Sequence, residues 1–161
     1  MSEAHLLRDV LGRFVTGVTV VTASGTEGPV GITANSFTSV SLDPALVLFC
    51  IHQASRVRAT FAVARFFAIN ILRADQESLS RRFSGPADKR IDGIAFRRGV
   101  TGAPLLDDAL AYLECSVHRQ IDAGDHVIVI GQVCDFKVQE TGVQPLAFYR
   151  GRYASLNGVS H

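Results

Sequence analysis

This sequence has almost no excess charge of either sign. Its 161 residues include 16 Lys and Arg against 15 Asp and Glu, a formal net charge of +1, and 47% of the residues are hydrophobic. A chain this apolar and this weakly charged can bury a core, which excludes an intrinsically disordered protein. It also lacks the basic excess that nucleic-acid-binding domains usually carry, so we expect no nucleic-acid partner.

Long hydrophobic runs are also missing. The longest unbroken run covers residues 45–51. A membrane-spanning helix needs about 20 apolar residues, so we expect no membrane segment, and this run predicts a fully buried strand. No basic segment precedes an apolar stretch near Met1, which predicts that the chain has no signal peptide.

Cysteines are few and far apart. Cys50, Cys115 and Cys134 are an odd number, and none forms a CxxC pair. This pattern disfavours both a disulfide framework and a structural zinc site. We therefore predict a cytoplasmic protein without a metal, in which the cysteines are small buried side chains.

Well-known catalytic motifs are absent as well. The sequence has no GxxxxGK[ST] phosphate loop, no GxGxxG after a strand, no GxSxG nucleophile elbow and no HExxH pair. Gly25, Gly28 and Gly31 are spaced by three, but we assign them to a hairpin turn. The sequence therefore predicts neither a Rossmann nucleotide site nor a catalytic triad.

What the sequence does have is a series of short β-branched segments separated by turn residues. Apolar residues at helical spacing predict a helix over residues 4–14. A candidate N-cap at Ser55 predicts a second helix over 56–63, and a third helix is predicted over 77–83, ended by the turn residues 84–86. Strands are predicted over residues 18–23, 30–33, 45–51, 66–72, 111–121 and 126–136, with loops at 24–29 and 123–125 and irregular surface structure over 86–108. This pattern predicts one mainly β domain over residues 1–161, a closed or half-closed antiparallel barrel with helices packed outside.

Polar side chains are concentrated in residues 31–44, between two apolar strands. Because buried polar groups need hydrogen-bond partners, this segment is either a solvated strand face or the lining of a site. In the second case its hydroxyls and backbone N–H groups would bind a phosphate or a polar heterocycle, which requires no net positive charge. The segment alone leaves both interpretations open.

Three smaller features suit the rim of such a barrel. Ser55 is a candidate N-cap for the second helix, and Arg56 beside it could help bind an anion or could simply be a surface arginine. His126 begins a strand after a turn, and Arg152 and Tyr153 lie near the C-terminus. Together these residues predict a polar, phosphate-binding rim, but they identify no reaction.

Five segments match a known family in order and spacing: FVTGVTVVT at 14–22, the polar segment 31–44, AINIL at 68–72, GDH at 124–126 and YRGRY at 149–153. Over residues 7–153 the chain resembles the short flavin reductases of the FMN-binding split-barrel group. These proteins are the reductase components of two-component flavin-dependent monooxygenases. The resemblance implies a homodimeric, mainly β, Greek-key antiparallel split barrel with flanking helices.

The resemblance also implies that FMN or FAD binds near the subunit interface. By position in the motifs, the flavin-binding residues would be Thr33, Ala34, Asn35 and Ser36 at the ring and ribityl chain, Ser39 and Ser41 toward the phosphate, Cys50 and Ile51 beside the flavin, and Ser55 and Arg56 at the phosphate.

The reaction follows from the same resemblance. His126 would be the catalytic residue on the nicotinamide side, near Tyr149, Arg152 and Tyr153. NADH or NADPH would transfer a hydride to the flavin, and reduced flavin would diffuse to a partner monooxygenase. No arginine cluster suited to a 2′-phosphate stands out, which favours NADH. Two alternatives are a split-barrel flavoprotein that reduces a different bound acceptor, corrinoid or pyridoxamine-phosphate-oxidase-like, and a non-catalytic flavin-binding protein.

Overall fold

The computed structural model describes residues 1–86, 88–139 and 142–157. In these residues the helices are Glu3–Gly12 (α1), Arg58–Val63 (α2) and Glu77–Phe83 (α3). The strands are Thr16–Gly17 (β1), Thr19–Gly25 (β2), Gly28–Ala34 (β3), Thr38–Leu42 (β4), Ala45–His52 (β5), Phe66–Ile71 (β6), Phe96–Arg98 (β7), Pro104–Leu106 (β8), Ala111–Ala123 (β9), His126–Val138 (β10), Ala147–Tyr149 (β11) and Arg152–Ala154 (β12).

The main sheet has seven antiparallel strands in the order β3-β2-β6-β9-β10-β5-β4. Its interior holds Phe49, Phe61 and Phe67, which are fully buried and pack edge to face. A second buried cluster under α3 contains Val18, Val20, Leu72 and Phe83, among others. Burial of these apolar side chains is the main force that holds the sheet and its helices together.

The two sides of the curved sheet are joined just after β3. The backbone N–H of Cys50 in β5 donates a 2.8 Å hydrogen bond to the Ser36 hydroxyl, and that hydroxyl donates back to the Cys50 carbonyl at 3.3 Å. This contact holds the segment after β3 against β5, from the other side of the sheet. The mainly β, antiparallel prediction is therefore confirmed, and the curvature is compatible with the predicted half-closed barrel.

Two local predictions are corrected by the structure. The predicted loop over 24–29 is a tight turn, because β2 and β3 remain paired up to Gly25 and Gly28. The run 45–51 is not fully buried: alternate residues such as Val47 and Phe49 face the core, while Leu48 and Cys50 between them are partly exposed. This alternation is what one core-facing side of an antiparallel sheet requires.

The segment 86–108 is less irregular than predicted. It contributes the antiparallel pair β7–β8, and Leu105 and Leu106 are 1% exposed in the core. Strands β7 and β8 are too short to show a clear alternation of apolar and polar residues. The turn residues around them therefore led to the prediction of irregular structure.

Helix α1 lies on the surface, and none of the described residues of the chain covers its apolar side chains. The Ser2 side chain caps its first turn by accepting a hydrogen bond from the His5 N–H. No residue of α1 is buried, and Leu7, Val10 and Leu11 are each more than half exposed. None of the helices in the described ranges is both long and apolar enough to cross a membrane.

Candidate functional site

Two adjoining cavities form a groove between β3, α3 and the hairpin of β11 and β12, which we call the C-terminal hairpin. The first, which we call the Tyr153 cavity, has a volume of about 320 Å³ and is lined by Val18, Thr33, Asn35, Ser80, Arg81, Ser84, Phe148, Gly151 and Tyr153. The second, the Lys89 cavity, has a volume of about 450 Å³ and is lined by Ile32, Thr33, His52, Ala54, Ser55, Arg56, Phe83, Ser84, Gly85, Pro86 and Lys89. The two share Thr33 and Ser84, and their volumes are typical of small-molecule sites.

Hydrogen bonds from three elements shape the Tyr153 cavity. The Thr33 hydroxyl of β3 donates to the Ser80 carbonyl of α3 at 2.6 Å, and the Ser80 hydroxyl lies 2.7 Å from the Tyr153 hydroxyl of β12. The guanidinium carbon of Arg81 lies 4.8 Å from the centre of the Tyr153 ring. These contacts hold a polar rim of hydroxyls beside the aromatic wall of Phe148 and Tyr153.

Positive charge is concentrated at the Lys89 cavity. Lys89 is only 6% exposed, and its ammonium donates a 2.7 Å hydrogen bond to the Phe83 carbonyl. Burial first, and then the nearby charge of Arg56, lower the pKa of the Lys89 ammonium. No carboxylate among the described residues forms an ion pair with Lys89 or Arg56, so the buried charge lacks compensation. An anion bound in this cavity would supply it.

A pair of histidines flanks the end of the groove. His52 ends β5, and its register partner His126 begins β10. Their rings pack edge to face at 4.9 Å, and the Asp125 carboxylate lies between them, with Oδ1 2.7 Å from His126 Nδ1 and Oδ2 3.7 Å from His52 Nε2. The hydrogen bond from His126 lowers the pKa of the Asp125 carboxyl, which is therefore ionised at neutral pH.

The comparison with known proteins identifies the family. The family model described as "Flavin reductase like domain" matches residues 11–157, which is most of the chain. The chain belongs to this flavin reductase family. The resemblance inferred from the five sequence segments is thereby confirmed.

Two relatives are named as reductases or reductase components. A probable flavin reductase of Rhizobium meliloti (strain 1021) is 47% identical over 152 residues, which cover 94% of this chain and 48% of the relative. The reductase component of flavin-dependent trigonelline monooxygenase from Acinetobacter baylyi is 45% identical over 154 residues, which cover 95% of this chain and 49% of the relative. The chain thus spans about half the length of both relatives.

A solved structure of similar length has the same fold. The NADH:FAD oxidoreductase SgcE6 of Streptomyces globisporus superimposes with a TM-score of 0.90 at 39% identity, and the match covers 98% of this chain and 95% of that chain. The agreement over nearly both whole chains supports the overall fold described above.

Five of the predicted site residues of this flavin reductase family member line the groove: Thr33, Asn35, Ser55, Arg56 and Tyr153. Ser55 does not cap α2 as predicted, because that helix begins at Arg58 and its N-cap is Val57. The Ser55 carbonyl instead accepts the Arg58 N–H in the preceding turn. Ser55 and Arg56 therefore do not lie at a helix N-terminus, and the attraction for an anion at this end of the groove comes from side-chain charge.

Four predicted residues serve the fold instead of presenting a side chain to the groove. Ala34 and Ile51 are buried in the core cluster, and the Ala34 carbonyl already accepts the Thr19 hydroxyl at 2.7 Å. The Ser36 hydroxyl is engaged by the Cys50 backbone. The cysteines also differ from the prediction, because Cys115 is buried whereas Cys50 is partly exposed and Cys134 exposed.

The remaining predicted residues lie apart from one another. Ser39 and Ser41 pair with Val47 and Leu46, toward the opposite end of β5 from Ser55. Tyr149 and Arg152 line a further cavity that meets the groove at Tyr153, whereas His126 contacts the groove lining through His52. Tyr149 and Arg152 on one side and His126 on the other, all predicted for the nicotinamide side, therefore do not line one common cavity within a single chain.

Sequence reasoning missed five polar residues of the groove: His52, Ser80, Arg81, Ser84 and Lys89. Ser80 lies in the last turns of α3 and Ser84 is the C-cap of that helix, so the polar residues at this helix end were a usable signal. Lys89 gave no signal, because its burial depends on the tertiary contact with the Phe83 carbonyl.

Proposed function

We propose that this chain is an NADH-dependent flavin reductase that binds FMN or FAD in the groove. It supplies the reduced flavin to a partner monooxygenase. The observation that carries this proposal is the buried Lys89 ammonium, which lies beside Arg56 without a carboxylate partner among the described residues. Family membership and the names of the relatives support the same activity.

The groove fits a flavin phosphate at one end and an aromatic ring at the other. Lys89, Arg56 and the Ser55 hydroxyl would bind the phosphate, because charge-assisted hydrogen bonds to phosphate oxygens are strong. Thr33 and Asn35 would contact the polar edge of the flavin ring, and Phe148 and Tyr153 would pack near its apolar part. Ser39 and Ser41 do not fit this phosphate site, because β4 carries them away from it.

The chain needs no acid, base or nucleophile of its own for this reaction. When bound, the flavin supplies the chemistry by accepting a hydride from the nicotinamide. The task of the residues is to hold the two rings at reacting distance, about 3–3.5 Å, and to exclude competing orientations. Because the flavin would supply the chemistry and the protein would supply binding and orientation, a site made of hydroxyls, arginines and aromatic rings can belong to an enzyme.

His126 is the residue we assign to the nicotinamide. The Asp125 carboxylate can only accept, so His126 Nδ1–H donates to it and Nε2 of the neutral ring keeps its lone pair. That nitrogen can accept an N–H of the nicotinamide carboxamide. His126 thus orients the dinucleotide and is not needed to remove a proton.

We also propose that the enzyme is a homodimer. The apolar face of α1, with Leu7, Val10 and Leu11, is left uncovered by the part of the chain that the structure describes. Beside it lies an apolar cavity of about 550 Å³ lined in part by Phe14 and Val15, both at least half exposed. Contiguous exposed apolar surface of this kind marks an interface, and a second copy would cover it on both protomers.

The groove is open to solvent, which suits a flavin that leaves after reduction. Release would pass reduced flavin to a separate monooxygenase. We place the enzyme in the cytoplasm, where its free cysteines would remain reduced.

Fluorescence titration of FMN, FAD and riboflavin into the purified chain tests the phosphate site. Wild type should bind FMN about tenfold or more tightly than riboflavin, because charge-assisted hydrogen bonds contribute about 1.5–3 kcal/mol each. Lys89→Met and Arg56→Gln should reduce that preference. Arg119→Gln is the matched control, because Arg119 is exposed on β9 and lines neither cavity of the groove. Equal binding of FMN and riboflavin by wild type would contradict the phosphate assignment.

Anaerobic filtration tests the release of the product. After NADH is added to the chain with flavin, reduced flavin should pass through a membrane that retains the protein. Reduced flavin that stays with the protein would favour the alternative in which a bound acceptor receives the electrons in place.

A further inference from the structure

His52 connects the groove to the Asp125–His126 pair. It is the last residue of β5, it lines the Lys89 cavity with Thr33 and Arg56, and it lies directly opposite His126 in the register. Its ring contacts that of His126 edge to face at 4.9 Å. A single side chain therefore borders the proposed phosphate end of the groove and also contacts the proposed nicotinamide ligand.

The hydrogen bonds around His52 fix its tautomer. The backbone N–H of Ala54 donates to His52 Nδ1 at 3.0 Å, so Nδ1 carries a lone pair and the proton of the neutral ring is on Nε2. Nε2 lies 3.7 Å from Asp125 Oδ2. His52 therefore presents an N–H to the carboxylate oxygen that His126 does not use.

The Asp125 carboxylate is held from both sides as a result. Its Oδ1 accepts from His126 Nδ1–H at 2.7 Å, while Oδ2 is attracted to His52. Asp125 is 78% exposed in its side chain. On so open a turn, a hydrogen bond from the Asp125 backbone and the two imidazoles limit rotation of the carboxylate, and a fixed carboxylate keeps His126 in one tautomer and orientation.

We propose that His52 is a positioning residue for NADH binding. It restrains Asp125, so that His126 keeps Nδ1–H on the carboxylate and directs its Nε2 lone pair to the nicotinamide carboxamide. This inference rests on the proposed function, in which His126 binds the nicotinamide.

Two substitutions distinguish the roles of the two ring nitrogens of His52. An Asn side chain can replace Nδ1 as acceptor for the Ala54 N–H but does not reach Asp125, whereas a Gln side chain can place an N–H near the position of Nε2. His52→Asn should raise KM for NADH about two- to fivefold, the range of an exposed charged contact, with kcat and flavin affinity nearly unchanged. His52→Gln should restore KM to within about twofold of wild type. His118→Asn, an exposed histidine on β9, is the control for loss of a surface imidazole.

A double-mutant cycle tests whether His52 acts through His126. In the His126→Ala background, His52→Asn should add no further increase in KM, because the residue that it positions is gone. Fully additive effects would overturn the proposal, as would a weakened flavin affinity with an unchanged KM for NADH.

Nitrogen-15 chemical shifts of the histidine rings give a readout without turnover. Wild type should show His126 protonated at Nδ1, and His52→Asn should change this pattern while His118→Asn leaves it intact. An unchanged His126 pattern in His52→Asn would overturn the positioning role even in an active reductase. A wild-type chain that oxidises no NADH with added flavin would instead overturn the proposed function and, with it, the role of His52 in NADH binding.

Discussion

At the scale of single residues, His126 is the side chain whose role is most directly testable. Its contact with Asp125 orients the ring, but the proposed hydride transfer needs no protein base. His126→Ala should therefore raise KM for NADH more than it lowers kcat. His118→Ala removes an exposed histidine elsewhere on the sheet and should change neither constant. Steady-state kinetics at saturating flavin check both variants, and unchanged constants in His126→Ala would remove it from the site.

The three cysteines should differ in reactivity. Burial raises the pKa of the Cys115 thiol to about 12, so almost none of it is thiolate at neutral pH, and its sulfur is inaccessible in the core. Cys134 is exposed and is the internal control. Iodoacetamide labelling with peptide mass mapping should modify Cys134 in the folded protein and Cys115 only after denaturant is added. Labelling of Cys115 at the rate of Cys134 without denaturant would contradict the structure.

Sequence reasoning at this scale succeeded where a residue's neighbours along the chain determine its surroundings. Thr33 and Asn35 belong to a polar run that ends a strand, and both line the groove. Ser39 and Ser41 belong to the same polar run, but the chain turns before them and places them in β4, away from the groove. Lys89 could not be predicted, since only the folded chain places it beside Arg56.

At the scale of elements, the long pair β9–β10 contains a position where only glycine fits. A Cβ on Gly131 would lie 2.9 Å from the Cys115 Cβ and would also overlap the Phe67 ring. Gly131→Ala should lower the free energy of unfolding by about 1–3 kcal/mol, because the packed core cannot move aside without strain. Gly17→Ala, where a Cβ meets nothing within 4 Å, is the matched control. Urea unfolding measures both, and equal stability of the two variants would contradict the packing described for Gly131.

A helix or strand was predicted correctly where its own sequence carries a clear signal for it. Helix α3 has the predicted bounds Glu77–Phe83, because the turn residues at 84–86 mark its end in the sequence. Helix α2 begins at Arg58, later than predicted, because a turn at Ser55 uses the hydrogen bond that a cap would have made. The short strands β7 and β8 were missed, since three residues are too few to show an alternation.

At the scale of the whole molecule, the exposed apolar face of α1 predicts a dimer. Sedimentation velocity should give a species of twice the 17.4 kDa chain mass. Replacing both Leu7 and Leu11 by Lys should dissociate it, because charged residues are depleted from interface cores. Arg8→Glu changes a residue that is already charged on the same helix and should leave the dimer intact. A wild-type monomer at micromolar concentration would contradict this assembly.

The overall fold was predictable because five separated segments match one family and because many short strands limit the possible architectures. The groove was only partly predictable. It is assembled from β3, α3 and the C-terminal hairpin, which are far apart in sequence, and the cations at its end come from two further segments. Contacts of this kind arise from tertiary packing, and local sequence patterns do not encode them.

The central claim is that the chain reduces a flavin that it binds and then releases. The most direct test is NADH oxidation by the purified chain, followed by absorbance with increasing FMN or FAD. Oxidation that depends on added flavin and saturates with it is the predicted result, and the ratio of kcat to KM for the two flavins ranks them. A chain that binds flavin but oxidises neither NADH nor NADPH would contradict the account and would favour a flavin-binding protein without turnover.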